Sequence, residues 1–549
     1  MKQFKIIILL SLMGMPAAFC QNIETARKYI YQERYNSAIS ELGNLLKENP
    51  NNPEAWYLLT DAYLATDKEA IIRDSLLQIP VEINEAPMMI CARARVLAKT
   101  GKMDEAVKYL NQALDQTKKK DPLILFAAAE AQLEAPSGDY KSAIDLLERA
   151  VKRDKDNPDL YVAMGDAYRK LNDGSEAYKS YKNALSVKDD YVPALYKIGK
   201  IFEAQNNDEV FLPYFIKAIA ADPGYAPALY ELYFYYYHKD PAKAMDYLRK
   251  YIAASDYNID NEYLLTDILY LNKKYSEAIS EVQTLLQQLG KEIKPRMFKL
   301  AAYCYKELYQ PGNAMAYNAA EYMKQYFEKE LDSNWVSKDF ELMGDIYNVM
   351  NGKEDSAALY YARASTLEED NALKLGYYKK IAGLYNKMKD YHNESIWLSK
   401  YYVGNPAATN VDLFNWGISY YKARDYMGAD TVFALYANKY PDNKFGHYWC
   451  ARTSAAIDSS MEKGLAVPHY LKVIELTEND TGNNLNKRYL IEAYGYIAAY
   501  KANAEKDYEA SIDYFNKLLQ LDPDNADAMR YVEILKKNRS VAGPSAEKN

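Results

Sequence analysis

Residues 161–184, YVAMGDAYRKLNDGSEAYKSYKNA, and residues 195–223, LYKIGKIFEAQNNDEVFLPYFIKAIAADP, decide the fold. Offset by 34 positions, they carry like residue types at each key place: Tyr161 and Leu195, Met164-Gly165 and Ile198-Gly199, Tyr168 and Phe202, Ala177 and Phe211, Tyr181 and Phe215, Ala184 and Ala218. Leu413, Trp416-Gly417, Tyr420, Ala429, Phe433, Tyr436 and Pro441 spell the same word again. Each unit holds two apolar stripes at i, i+3, i+4, i+7, the mark of two amphipathic helices. Asn172-Asp173-Gly174 and Asn206-Asn207-Asp208 separate the two stripes. Asn49-Pro50, Asn157-Pro158, Asp222-Pro223, Asn405-Pro406 and Asp522-Pro523 punctuate the joins, where proline suits the first turn of the next helix and bars the previous one from continuing. No segment shows sustained strand alternation. A single helix pair cannot bury both its faces, so neighbouring pairs must stack.

With the small residue early in each second helix as the register, units fall at Ala38, Ala106, Ala143, Ala177, Phe211, Ala244, Ala278, Ala314, Ala357, Glu394, Ala429, Ala466 and Ser511. A further unit, Trp56, Leu59, Tyr63, Ile72, Leu76 and Ile79, fits between Ala38 and Ala106 and brings the total to about fourteen. Phe211 and Glu394 depart from the small type, and the spacing stretches before Ala357 and Ser511, leaving the count open by about two. The pattern resembles the tetratricopeptide repeat, in which a small residue on the first helix lets the second approach. That resemblance implies an all-α, right-handed α-solenoid of about 14 helix hairpins. Asp527–Lys537 reads as its capping helix, with Ala528, Val532 and Leu535 inward and Arg530, Glu533, Lys536 and Lys537 outward. The array divides into residues 21–255 and a continuation over 256–538, followed by a disordered polar tail at 539–549.

The chain has 549 residues, of which 49% are hydrophobic and 26% charged, a composition that excludes a disordered polymer. Sixty-eight basic against 76 acidic residues give a net charge of −8, which argues against a nucleic-acid partner held by bulk charge. Residues 1–20 read as a secretory signal peptide: Lys2 and Lys5, an apolar run Ile6–Met13 broken by Ser11, then Ala17-Ala18-Phe19-Cys20. The expected product is a periplasmic chain beginning at Gln21. The alternative is an outer-membrane lipoprotein anchored through Cys20, against which Phe19 stands where a small residue is wanted. Otherwise membrane contact is expected only through partners, because no later segment is long and apolar enough to span a bilayer. Cys91, Cys304 and Cys450 are too scattered for a disulfide framework or a zinc site, and read as small buried residues.

No catalytic pattern is present: no His-Glu-x-x-His, no glycine-rich phosphate loop, no nucleophile elbow. His238, His392, His447 and His469 are the only histidines, and 447 and 469 fall where one helix hairpin would bring them together without a third ligand. We therefore expect no enzyme activity, cofactor or metal. The 55 tyrosines are the outstanding feature of the composition. The family resemblance implies that first helices line a concave face, and mapping it here gives a partner-binding row of Tyr196 and Lys200, then Tyr230, Phe234 and Tyr237, then Tyr263, Asp267 and Tyr270. Tyrosine suits interfaces, offering a flat apolar body and a hydroxyl at low entropic cost; the competing reading is ordinary core packing. Phe414, Ile418 and Tyr421 occupy matching places further on. The two-carboxylate clamp of chaperone-binding relatives is not carried over, because Lys299 is followed by Tyr303 and Lys379 by Gly383 where the clamp needs asparagine.

Tyr448-Trp449-Cys450-Ala451-Arg452, Ala455-Ala456-Ile457-Asp458 and Pro468-His469-Tyr470 are similar to repeat proteins of Bacteroidota envelopes. The function expected is a non-catalytic scaffold binding an envelope protein or an extended peptide. The alternative is an accessory component of an outer-membrane transport, secretion or polysaccharide-handling complex.

Overall fold

The computed structural model describes residues 15–541, and side chains over 23–537. Its 29 α-helices pair in sequence order into fourteen antiparallel hairpins, from Met15–Tyr31 with Tyr35–Glu48 to Asn484–Tyr500 with Tyr508–Leu521, and Ala526–Val541 closes the array. No strand occurs among the described residues. The hairpin between Ala38 and Ala106 is present as Pro53–Ala65 and Glu69–Leu76. The chain forms two compact units, Met1–Glu292 and Ile293–Asn549. Their boundary lies one hairpin beyond 255/256, at a short 3-10 turn opened by Gly290 in the left-handed region (φ 54°). The residues 1–14 of the expected signal peptide lie outside the described residues.

Local chemistry sets the helix ends. Within a hairpin, one residue turns left-handed, such as Gly101 (φ 80°), Asn172 (φ 60°) or Asn206 (φ 55°). In several hairpins an aspartate then caps the second helix: Asp173 accepts from the Glu176 amide, Asp390 from Asn393 and Asp507 from Ala510. Of the five joining prolines, only Pro158 sits in a helix's first turn; Pro50, Pro223, Pro406 and Pro523 lie in the turn before it. The first turn is filled instead by residues such as Pro53 and Pro227.

Pairing rests on close approach. A methyl group added at Gly165 would overlap the Tyr181 ring, and one at Gly199 the Phe215 ring. At Gly344 and Gly417 it would stand 2.7 Å from the rings of Tyr361 and Phe433. The register alanines are buried in nearly every hairpin, and Phe211 is buried in their place against Phe215 at a ring separation of 5.6 Å. Ala314 is the exception. It is exposed and precedes helix Met315–Lys329, which buries Ala316 and Ala319 instead, because the Pro311-Gly312 turn delays the helix start. Glu394 is buried and accepts a hydrogen bond from Asn386 Nδ2 at 2.8 Å, so a polar pair replaces the small residue there.

Cys91, Cys304 and Cys450 are free and buried, and burial pushes each thiol up to about 12, away from the thiolate form. The closing helix buries Ala528, Val532 and Leu535 and exposes Arg530, Glu533, Lys536 and Lys537. It extends to Val541, so residues 539–541 are helical where a disordered tail was expected, and 542–549 lie outside the described residues. Among the described residues no helix is long and apolar enough to cross a membrane.

Gly165→Leu should destabilise the 158–187 hairpin by about 1–3 kcal/mol through overpacking against Tyr181. Gly43→Ala, within helix Tyr35–Glu48 and with nothing within 4 Å of the added carbon, should stabilise by about 0.5–1 kcal/mol. Urea midpoints check both; equal effects of the two substitutions would contradict the packing.

Candidate binding face

In the first unit, first helices from six consecutive hairpins wall a cavity of about 480 Å³. Its lining includes Tyr31, Tyr57, Phe126 and Tyr191, with Glu54, Asp61, Glu130 and Asp159 as acids and Arg27 as the one base. Behind this wall Arg95 is 1% exposed. Its guanidinium donates to Glu134 Oε2 at 3.0 Å and Asp61 Oδ1 at 2.7 Å, and lies 3.6 Å from Glu130 Oε2. The ring of Tyr57 lies 4.9 Å from the guanidinium carbon, and its hydroxyl donates to Glu130 at 2.5 Å. Three carboxylates around one cation leave an excess of negative charge. Burial pushes the Glu130 carboxyl up to about 7 against the pull of Arg95, with Asp61 and Glu134 adding to the rise.

The expected binding row is only partly open. Phe234 is 66% exposed and Tyr230 37%. Tyr196 is half-buried, its hydroxyl donating to Glu231 at 3.2 Å and its ring 5.6 Å from Tyr225. Lys200 donates to the same carboxylate at 2.8 Å and also pairs with Glu203. Tyr237 is half-buried between Tyr233 and His238. Asp267 and Tyr270 are half-buried, with the Tyr270 ring 5.7 Å from Tyr275. Tyr263 is a correction: at 3% exposure it belongs to the core, because helix Ile259–Leu271 turns that side toward its neighbours.

The aromatic run also finds packing partners. Tyr233 is buried, Tyr235 donates to Asp208 at 2.8 Å, and Tyr236 stacks on Tyr247 at 5.8 Å. In the second unit Phe414, Ile418 and Tyr421 pack around Phe433, Cys450 and Trp449. Lys299 is held by the buried Asp339 at 2.8 Å, and Lys379 stands 3.5 Å from Asp412. His447 and His469 do meet, with ring centroids 6.3 Å apart, yet no group of three potential metal ligands occurs among the described residues.

One feature of this face has no counterpart in local sequence. The turn between the first two helices reaches across to residues about 160–220 positions later. Gln32 Nε2 donates to Asp222 Oδ2 at 2.8 Å, and the Tyr31 ring packs 5.7 Å from Tyr225 and 6.3 Å from Tyr191. Asp256 accepts the backbone amides of Asn36 at 2.8 Å and Ser37 at 3.2 Å, together with the Ser37 hydroxyl. Burial raises the Glu33 carboxyl, Lys197 opposes the rise and Glu231 adds to it.

The tetratricopeptide repeat family matches residues 29–70, 91–158, 137–200, 413–443 and 501–525. The chain therefore carries tetratricopeptide repeats in both of its units, and its other hairpins have the same two-helix form. Among curated proteins it is similar to DnaJ homolog subfamily C member 3 of Gallus gallus, 27% identical over 214 residues, 36% of this chain and 42% of that protein. The chain thus spans about two fifths of that relative's length. Among solved structures, the C-terminal part of a TPR repeat-containing protein from Cytophaga hutchinsonii is 28% identical and covers 49% of this chain and 98% of its own, with a TM-score of 0.30. A tetratricopeptide repeat protein from Parabacteroides merdae is 16% identical, covers 47% and 98%, and gives a TM-score of 0.28.

Because Glu130 binds its proton more tightly folded than unfolded, its stabilising contribution is present below about 4.5 and fades as pH rises through about 7. Glu130→Gln should therefore gain about 1–3 kcal/mol relative to wild type between pH 5 and pH 8. Urea denaturation at the two pH values measures this, and a constant difference would refute it.

Proposed function

We propose that this tetratricopeptide-repeat protein is a non-catalytic periplasmic scaffold that binds an extended segment of an envelope protein along the first-helix face of its first unit. Repeats of this family serve protein–protein interaction, which supports a scaffold reading. The finer reading is carried by one observation: Tyr230 and Phe234 stand exposed on helix Ala226–Tyr236, whereas Tyr233 on the same helix is buried. An exposed aromatic pair beside the Tyr196–Lys200–Glu231 cluster combines an apolar anchor with hydrogen-bonding groups, the makeup of an interaction hot spot. The basic and apolar start of the sequence supports export, and Phe19 before Cys20 supports cleavage over lipidation.

Capture from an envelope fraction tests this reading. Tyr230→Ala with Phe234→Ala should weaken partner capture by about 2 kcal/mol or more while thermal stability falls only modestly, since Phe234 is 66% exposed and Tyr230 keeps only part of its ring against Tyr233 and Tyr251. A large fall in melting temperature with capture intact would assign the pair to packing. Mass spectrometry of the mature amino terminus should find it at Gln21, and a diacylglycerol on Cys20 would overturn the soluble reading.

A further inference from the structure

Residues 31–37, the turn of the first hairpin, contact residues far along the first unit as well as their own stacking neighbours. Helix Tyr35–Glu48 has no side-chain cap of its own. The amides of its first turn, which no helix can satisfy internally, are capped by Asp256 from the turn before helix Ile259–Leu271. Asp222, in the turn before helix Ala226–Tyr236, receives the Gln32 amide, and the Tyr31 ring fills the space between Tyr191 and Tyr225. Arg34 adds an ion pair with Asp256 at 3.7 Å. The receiving surface therefore offers two aspartates and an aromatic slot, and its occupant offers a tyrosine flanked by hydrogen-bond donors.

We propose that residues 31–37 are a displaceable internal occupant of a recognition site formed by Tyr191, Asp222, Tyr225 and Asp256, and that this site binds a partner segment of the same chemistry. That segment presents a tyrosine beside amide or guanidinium donors. The inference deepens the scaffold reading by naming what the first unit recognises, and it rests on that reading. The occupant is held imperfectly: the Glu33 carboxyl is raised, with Lys197 opposing the rise and Glu231 adding to it. An incoming segment without that carboxylate competes on better terms, while tethering favours the internal one by effective concentration.

The test uses the full chain and a synthetic peptide of residues 27–38 as probe, so it needs no outside partner and fails independently of envelope capture. In the variant Tyr31→Ala with Gln32→Ala, hydrogen exchange at the Tyr225 amide should quicken by about tenfold. The fluorescent peptide should bind this variant at least about tenfold more tightly than the native chain, whose site is filled, and should restore the protection. Glu33→Gln, which removes the awkward carboxylate without loosening the fold, should shift both readouts the opposite way. Unchanged exchange in the double variant, faster exchange that the peptide does not reverse, or a Glu33→Gln shift in the same direction as the double variant would each overturn the proposal.

Discussion

Everything in this molecule depends on how closely two helices of a hairpin can approach. Where the first helix carries glycine, the second lays an aromatic ring across the gap, as Tyr181 does over Gly165 and Tyr361 over Gly344. The ring takes the volume of two side chains, so the helices lock in one register and the pair presents a fixed outer surface to the next. Dispersion and burial are gained without a cavity, and no side chain larger than hydrogen fits on the other side. Stacking then follows pair by pair, which is how a chain this long folds from short-range contacts.

Tyrosine is abundant because the same ring carries a polar handle to the edge of the core. Tyr181 donates to Asp166 at 2.7 Å, and Lys197 of the following hairpin pairs with that carboxylate at 2.9 Å. Tyr361 donates to Asp345 at 2.6 Å, which Lys306 and Lys380 approach from the hairpins on either side at 2.7 and 3.3 Å. Despite burial, Asp345 is held below the usual carboxylate range by Lys306, Tyr361 and Lys380. In the last hairpins Tyr448 and Tyr470 converge on Glu492, with Arg452 at 3.5 Å. A phenylalanine in the same place packs equally well but leaves the carboxylate without its donor. The tyrosine–carboxylate–lysine link thus joins successive hairpins through polar geometry, which fixes their relative rotation more tightly than apolar contact does.

This use of tyrosine bears on function. A residue tied into such a link is structural even when it faces inward along a first helix, and Tyr196 stands halfway between the two roles. Phe234 has no hydroxyl to tie and remains two-thirds exposed. The acid-rich cavity around Glu130 and the aspartates at 222 and 256 give the first unit's inner surface a preference for donors and cations over anions, in keeping with the net charge of the chain.

The sequence by itself determined the helices, their pairing and the burial of most register positions, because each depends on residues within one hairpin: the glycine and its ring, the left-handed turn, the aspartate cap. It also placed the cryptic hairpin between Ala38 and Ala106, and the closing helix with its three inward side chains. The shift of burial from Ala314 to Ala316 and Ala319 turned on a loop of unusual length, whose conformation the repeat pattern does not encode. Which aromatics face outward was decided only by tertiary structure. Tyr230 lies 14 residues before Ala244 and Tyr263 15 before Ala278, so Tyr263 falls at the place where Leu229 is buried, while Tyr230, one position on, is partly open. Least legible of all was the grip of Asp222 and Asp256 on residues 31–37. It joins positions about 190–220 apart in sequence, and its existence depends on the small rotation added at every intervening hairpin, a sum that no local pattern contains.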